Sequence, residues 1–154
     1  MNIRSATKSD SENISAIAIA VWVDTYATEG VRSNISKYVF NNFSINKINE
    51  EISLKNVLVV ELENHLLGYA IYVESSESTE IETIYVLPKF QYQGLGKSLL
   101  IEIRNKTLYP LRLTCWENNS EAILFYQSQG FIQVGEEYFD LENEKHRNVV
   151  LQST

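Results

Sequence analysis

Residues 84–100 read IYVLPKFQYQGLGKSLL, which is an apolar strand followed by a proline, a glycine-containing loop and an amphipathic helix. A helix exposes unpaired backbone N–H groups in its first turn, and its dipole places positive charge there. Gly94 and Gly96 let a bulky anion approach the main chain closely. Because this stretch contains no histidine, cysteine or acidic cluster, it predicts a site for a phosphate-bearing ligand and no metal site.

The spacing of the glycines separates three kinds of phosphate-binding loop. A dinucleotide-binding loop requires GxGxxG, but Leu99 occupies the third glycine position. A P-loop requires GxxxxGK[ST]; residues 96–98 supply its end, but Gln91 stands where the first glycine is needed. The third pattern, QxxGxG after a strand, is filled by Gln91, Gly94 and Gly96. A P-loop phosphotransferase is therefore the weaker alternative.

A second block, WENNSEAILFYQSQGF at residues 116–131, follows at a suitable distance. Together the two blocks resemble the GNAT (GCN5-related N-acetyltransferase) superfamily, whose members carry QxxGxG and, further downstream, NxxAxxFYxxxGF. The resemblance covers most of the chain. A less specific likeness, the aromatic-x-x-Thr-Tyr segment at residues 22–26, points to the polyamine-acetylating subgroup of spermidine/spermine type.

Composition narrows the possible function classes. The chain has 154 residues, 44% of them hydrophobic, and a net charge of −7, which argues against a nucleic-acid surface. No apolar run is long enough to span a membrane, and the N-terminus lacks the apolar core of a signal peptide. A single cysteine, Cys115, excludes an internal disulfide. We therefore expect a cytoplasmic protein with no nucleic-acid or membrane partner.

Hydrophobic periodicity and turn residues predict the order of the elements. Strands are expected at residues 3–6, 57–62, 66–74, 80–86, 111–115, 131–134, 138–141 and 148–151. Helices are expected after a capping box of Ser9 and Glu12, at 31–41, from the N-cap Ser44 to 54, and at 95–106 and 120–129. This order predicts a mixed α+β fold, with a mostly antiparallel sheet flanked by helices, as in the acetyltransferase family. We expect one domain over residues 1–154.

The resemblance implies acetyl-CoA as cosubstrate, with its pyrophosphate on the glycine loop and its pantetheine arm along the backbone of the preceding strand. The residues implied in binding it are Ile84, Tyr85, Val86, Gln91, Tyr92, Gln93, Gly94, Leu95, Gly96, Lys97, Ser98, Asn119 and Tyr126. A backbone N–H near Val86 would then stabilise the oxyanion. Asn119 is also a candidate N-cap for the helix that follows it.

Two side chains are candidates for the catalytic groups. Tyr126 occupies the tyrosine of the second motif, so the resemblance implies that it protonates the departing thiolate. Glu82 lies on the strand before the glycine loop, where several family members carry a glutamate, and we expect it to help deprotonate the amine. Strict alternation would put Glu82 on one face with Ile84 and Val86, where burial would raise its pKa.

The implied function is an N-acetyltransferase that acts directly on the primary amine of a small molecule, with polyamines as candidates. Trp22, Asp24 and Tyr26 are the candidate substrate-binding residues. A homodimer is expected, as in related proteins. Two alternatives stay open: a non-catalytic CoA-binding regulatory module of the same fold, and an N-acetyltransferase that modifies proteins or peptides.

Overall fold

The computed structural model describes residues 1–141 and 143–153. Within these ranges the helices are α1 (Ser11–Tyr26), α2 (Ser33–Asn42), α3 (Ile45–Leu54), α4 (Leu95–Lys106) and α5 (Ser120–Ser128). The strands are β1 (Asn2–Ser5), β2 (Asn56–Leu62), β3 (His65–Glu74), β4 (Thr79–Val86), β5 (Leu111–Trp116), β6 (Ile132–Leu141) and β7 (Glu144–Gln152).

All seven strands form one sheet in the order β1-β2-β3-β4-β5-β7-β6. Its neighbours pair antiparallel except for β4 and β5, which run parallel. The α4 helix is the crossover that a parallel pair requires. The predicted mixed α+β class, with a mostly antiparallel sheet, is confirmed.

Helices cover both faces of the sheet. On one face, α4 and α5 pack over a core in which Leu99, Leu100 and Ile103 are fully buried, as the helical spacing predicts. On the other face, α1 and α3 pack through Ile14 and Ile48. This burial of apolar side chains on both sides fixes the position of the central strands.

Several local predictions are confirmed. The Ser44 hydroxyl caps α3 by accepting a hydrogen bond from the Lys47 N–H at 3.2 Å. Gly130, just after α5, has φ +93°, the left-handed geometry that ends many helices. The predicted hairpin between β2 and β3 turns through Glu63 and Asn64, at φ 50° and 66°.

Two predictions about element boundaries are wrong. The strands expected at 131–134 and 138–141 form one strand, β6, because a bulge between Gln133 and Gly135 carries the pairing with β7 past the glycine. Ser9, the expected helix start, lies within a short 3₁₀ turn, Lys8–Asp10, and α1 begins at Ser11. There Asp10 accepts a hydrogen bond from the Thr7 N–H at 2.8 Å and pairs with Arg4, which lowers the pKa of Asp10.

No helix in the described part of the chain combines the length and the apolar character needed to cross a bilayer.

Candidate active site

A large cavity lies where β4 and β5 separate. These strands pair at Thr79–Leu111 and Glu80–Arg112 only, as far as the described residues show, and then diverge. The divergence opens a cleft of about 1130 Å³, lined by residues from both faces of the sheet. We call the part beside α4 and α5 the loop side and the part beside α1 and α2 the aromatic side.

The backbone of β4 presents free donors to this cleft. The Leu87 N–H donates to the Leu67 carbonyl of β3 at 2.9 Å, so Leu87 and Leu67 form a hydrogen-bonded pair of the antiparallel ladder. Such pairs alternate with pairs whose N–H groups point away from each other. The N–H groups of Ile84 and Val86 therefore point into the cleft, whereas Tyr85 turns its backbone to β3 and only its side chain lines the cleft.

The glycine loop joins β4 to the start of α4. Gly94 has φ +83° and is the N-cap of α4, a conformation that costs a residue with a Cβ about 1–2 kcal/mol. The first intrahelical bond runs from the Ser98 N–H to the Gly94 carbonyl, at 3.0 Å. The preceding N–H groups, of Leu95, Gly96 and Lys97, are therefore left for an anion at the positive end of the helix dipole.

Gln91 has a role within the loop that its position in the motif does not reveal. Its Nε2 donates to the Val86 carbonyl at 3.0 Å, which ties the loop to the end of β4. The Ser98 hydroxyl donates to the Gly94 carbonyl at 2.9 Å. Of the residues implied in cofactor binding, Gln93 and Ser98 are not on the cleft wall, while the others line it.

Tyr126, on α5, is 9% exposed and lines the cleft. Its ring packs edge-on against Phe125 and Phe131, with centroids 5.1 and 5.5 Å away. Burial, with a smaller contribution from Cys115, raises the pKa of Tyr126, so its phenol stays protonated near neutral pH. Asn119 caps α5 by accepting a hydrogen bond from the Ala122 N–H at 3.3 Å, and it also lines the cleft.

Glu82 lines the cleft, but not in the orientation that strict alternation predicts. Ile81 lies opposite Tyr72 and Thr83 opposite Ile71, so Glu82 is the extra residue of a β-bulge.

The bulge shifts the alternation of side chains along β4. Ile84 and Val86 pack on the face of α4 and α5, whereas the Glu82 carboxylate is 2.6 Å from Lys55 Nζ, at the end of α3. Glu82 therefore does not share a face with Ile84 and Val86. Its carboxylate is held by a cation, which is itself 2.8 Å from Glu51.

The aromatic side is a row of rings that we call the aromatic wall: Tyr38, Trp22, Tyr26 and Trp116. The successive ring centroids are 4.3, 4.1 and 4.9 Å apart. All four rings line the cleft. Trp22 is only 3% exposed and also packs in the core with Ile35 and Val39, so its role is partly structural. Burial raises the pKa of Tyr26 and of Tyr38, so both phenols are neutral.

Charge in the cleft is unevenly distributed. Asp24 is exposed at its edge and makes no ion pair with another described residue. Among the described lining residues, Lys97 on the glycine loop is the one lysine or arginine, and the acidic side chains are Asp24, Glu82 and, on α5, Glu121. The free N–H groups at the start of α4 suit an anion on the loop side, and Asp24 with the aromatic rings suits a cation on the aromatic side.

Cys115 lines the cleft near Tyr126, and burial raises the pKa of its thiol to about 11. A protonated thiol is a poor nucleophile and a poor metal ligand. No set of three or more histidine, cysteine or acidic side chains is gathered as a metal site in the part of the chain that the structure describes.

Sequence reasoning missed several lining residues, among them Trp116, Phe139 and Asn148. Trp116 stands within the second motif without a function in it, and the other two lie on the last two strands. Their alternation predicts strands but does not reveal that these strands reach the cleft. Tyr38 was recognisable only as one of several aromatics around α2.

Comparisons with known proteins agree with this geometry. Residues 53–133, more than half of the chain, match the family model described as an acetyltransferase (GNAT) domain. An uncharacterized N-acetyltransferase of Lactobacillus delbrueckii subsp. lactis is 24% identical over 98% of this chain and 95% of that protein. The spermidine N(1)-acetyltransferase of Thermoplasma acidophilum is 26% identical over 85% of this chain and 88% of that protein.

The fold is also that of a solved structure. The PaiA N-acetyltransferase of Thermoplasma acidophilum, solved in complex with coenzyme A, superimposes with a TM-score of 0.84. The match covers 99% of this chain and 98% of that one, at 22% identity. Matching motifs, fold and family model lead to one conclusion: the chain belongs to the GNAT family of acetyl-CoA-dependent N-acetyltransferases.

Proposed function

We propose that this protein, acting as one catalytic domain, transfers the acetyl group of acetyl-CoA directly to a primary amine of a small molecule, with polyamines as the first candidates. The observation that carries the proposal is the cleft between β4 and β5, which connects an anion-binding loop side to a cation-favouring aromatic side. The similarity to a spermidine N(1)-acetyltransferase supports the choice of polyamines.

The loop side suits acetyl-CoA. The pyrophosphate would accept hydrogen bonds from the first N–H groups of α4, with Lys97 as a nearby cation. The pantetheine arm would pair with the cleft-facing backbone of Ile84 and Val86, and Asn119 would contact it from α5. Gln91 keeps the loop and the strand in register through its bond to the Val86 carbonyl.

The chemistry requires an oxyanion donor and an acid. When bound, acetyl-CoA supplies a thioester carbon to the amine lone pair, so a C–N bond forms and the C–S bond breaks. The Val86 N–H would stabilise the negative charge on the carbonyl oxygen. The Tyr126 phenol would give its proton to the departing sulfur, because burial keeps that proton in place.

Glu82 is the proposed base, receiving the amine proton through water. Its place on the cleft wall supports this role, and the contact with Lys55 fixes the carboxylate. Replacing a general base costs about 10²–10⁴-fold in rate, so we expect Glu82→Gln to lower kcat within that range. Glu80→Gln is the matched control, since Glu80 is on the same strand and pairs with Arg112 at 3.2 Å. An unchanged kcat in Glu82→Gln would assign deprotonation to solvent.

The decisive test is an acetyl-CoA consumption screen with polyamines, monoamines, amino acids, aminoglycosides and lysine peptides. We expect turnover with polyamines and release of free CoA in equal amount to acetylated product, identified by mass spectrometry. Turnover of lysine peptides alone would show that the acceptor is a protein or peptide and not a small molecule. Binding of acetyl-CoA in a calorimeter without turnover of any amine would favour the regulatory module.

The exposed edge of the sheet supports a homodimer. β6 is the last strand of the sheet, and Ile132, Val134 and Tyr138 on it are 67%, 53% and 59% exposed. An open strand edge with apolar side chains is a surface on which a second copy can add its own strand. We expect light scattering to give twice the 17.7 kDa chain mass, and Val134→Lys to give a monomer.

A cytoplasmic location is supported by the one cysteine, which is buried with a free thiol. Free thiols persist in compartments kept reducing by thiol buffers. Fractionation of cells that express the protein should recover it in the cytoplasm, and recovery from an extracytoplasmic fraction would refute this location.

A further inference from the structure

Asn148, on β7, is a polar side chain in the cleft wall without a partner in the protein. Its Oδ1 is enclosed and accepts no hydrogen bond from any described residue. Its amide nitrogen makes no hydrogen bond within the described ranges either. A buried polar group left unpaired is costly, so a carboxamide kept in this state on a cavity wall marks a group that a ligand can satisfy.

The strand geometry places Asn148 on the aromatic side of the cleft. The next residue, Val149, packs in the core under α4 and α5, and side chains alternate along a strand. Asn148 therefore points to the opposite face. Its cross-strand partner is Trp116, whose ring is 4.9 Å from that of Tyr26 in the aromatic wall. Asn148 thus lies beside the wall and away from the glycine loop.

The carboxamide can turn to meet a ligand at no cost in protein hydrogen bonds, because it makes none. The χ2 torsion of asparagine is broad, so rotation exchanges the oxygen and the NH₂ group. An amine offers N–H donors, for which the oxygen is the matching acceptor. Trp116, the ring beside Asn148, is at the end of the aromatic wall, so one of its faces is not stacked on another ring of the wall and can hold a cation.

We propose that Asn148 positions the amine substrate: its Oδ1 accepts a hydrogen bond from an N–H of that amine. In this way β7 takes part in the choice of substrate. This rests on the proposed function. A neutral amide oxygen accepts the hydrogen bond without placing a negative charge beside the amine. A carboxylate would also accept the hydrogen bond, but its charge would favour the protonated ammonium form of the amine.

The test compares Asn148→Leu and Asn148→Asp with the wild type in steady-state kinetics, using spermidine as acceptor. Leaving one partner of a buried hydrogen bond unpaired corresponds to roughly fivefold to hundredfold in affinity, so we expect Asn148→Leu to raise the KM for spermidine by that factor. The KM for acetyl-CoA and the melting temperature should stay unchanged. Asn148→Asp retains an acceptor oxygen, and we expect it to restore the KM for spermidine at low salt.

Added salt should weaken the Asn148→Asp rescue, because that contact is between charges. Gln152→Leu is the matched control, because Gln152 is on the same face of β7 but outside the cleft. The KM values of this variant should stay within about twofold of the wild type, the range of a surface substitution.

Three outcomes would overturn the proposal: an unchanged KM for spermidine in Asn148→Leu, an equal rise in the KM for acetyl-CoA, or a KM for spermidine at low salt that is as high in Asn148→Asp as in Asn148→Leu. Failure of the wild-type protein to acetylate any amine would instead refute the proposed function.

Discussion

The two sides of the cleft are built in different ways. The loop side comes from two continuous segments, residues 84–98 and 119–126, whereas the aromatic side gathers residues from α1, α2, β5, β6 and β7. A phosphate-binding loop works through consecutive backbone N–H groups, so its geometry requires glycines at fixed spacing. An aromatic wall works through side chains, which the fold can bring from anywhere. The first kind of site leaves a contiguous motif in the sequence. The second leaves only a fragment, here the segment at residues 22–26, and its other residues are not recognisable.

The largest expected effect concerns Tyr126, the proposed acid on the loop side. Tyr126→Phe removes the proposed proton donor and keeps the ring, so kcat should fall by about 10²–10⁴-fold with little change in either KM. Tyr69→Phe, in a tyrosine that is 1% exposed and lies outside the cleft, is the control. Normal activity in Tyr126→Phe would refute the assignment of the acid.

The pH dependence of the wild type sharpens the same assignment. Burial raises the pKa of Tyr126 above the ordinary phenol value of about 10, so the phenol keeps its proton throughout the pH range below that value. Loss of this proton should therefore not lower the activity until the pH rises above about 10. A rate profile measured from pH 6 to pH 10 that falls near pH 8 would place the acid on another group.

Next in size is a change to the aromatic wall. Trp116→Leu removes the ring that closes the wall at the end of β5, and loss of cation–π contact should raise the KM for the acceptor about fivefold to twentyfold. The KM for acetyl-CoA should stay unchanged. Phe40→Leu removes an aromatic ring that is 66% exposed on α2, away from the cleft, and should leave both constants unchanged. Equal effects on both substrates would show that Trp116 supports the sheet and not the acceptor.

The sequence predicts the loop side well because local constraints act there. The start of α4 at Leu95 and the cap at Asn119 follow from short-range rules for helix termini and capping, and a glycine at position 94 permits the left-handed geometry that the structure shows there. The mixed, mostly antiparallel class of the sheet also follows from the order of the elements, although the sequence predicts eight strands and the described part of the chain has seven.

The rest depends on contacts that no local pattern encodes. Glu82 was expected beside Ile84 and Val86, but a one-residue bulge reverses the alternation, and such a bulge has no signature in the sequence of β4. Asn148 faces the cleft because β7 pairs with β5 in one particular register, with Asn148 opposite Trp116. Long-range pairing decides both, so both become visible only in the folded chain.

A smaller effect is expected at the glycine that shapes the loop side. Gly94→Ala places a Cβ at φ +83°, where no atom lies within 4 Å, so the cost is backbone strain of about 1–2 kcal/mol and not a clash. Gly30→Ala is the matched control, because Gly30 has φ +100° and equally open surroundings. Both variants should lose similar stability in chemical denaturation. Only Gly94→Ala should raise the KM for acetyl-CoA, and an equal rise in both would mean that the loop does not hold the cosubstrate.

The smallest effect is expected from Asp24, the exposed carboxylate at the edge of the aromatic side. An exposed charge pair contributes about 0.2–1 kcal/mol, so Asp24→Asn should raise the KM for a polyamine no more than about fivefold. The effect should disappear at high salt and be absent for a monoamine, which has no second cation to pair with Asp24. Glu29→Gln, in an exposed carboxylate just beyond α1 and outside the cleft, should change nothing. A salt-dependent loss with polyamines alone would mean that the aromatic side recognises a second charge, and equal losses with both amines would confine recognition to one nitrogen.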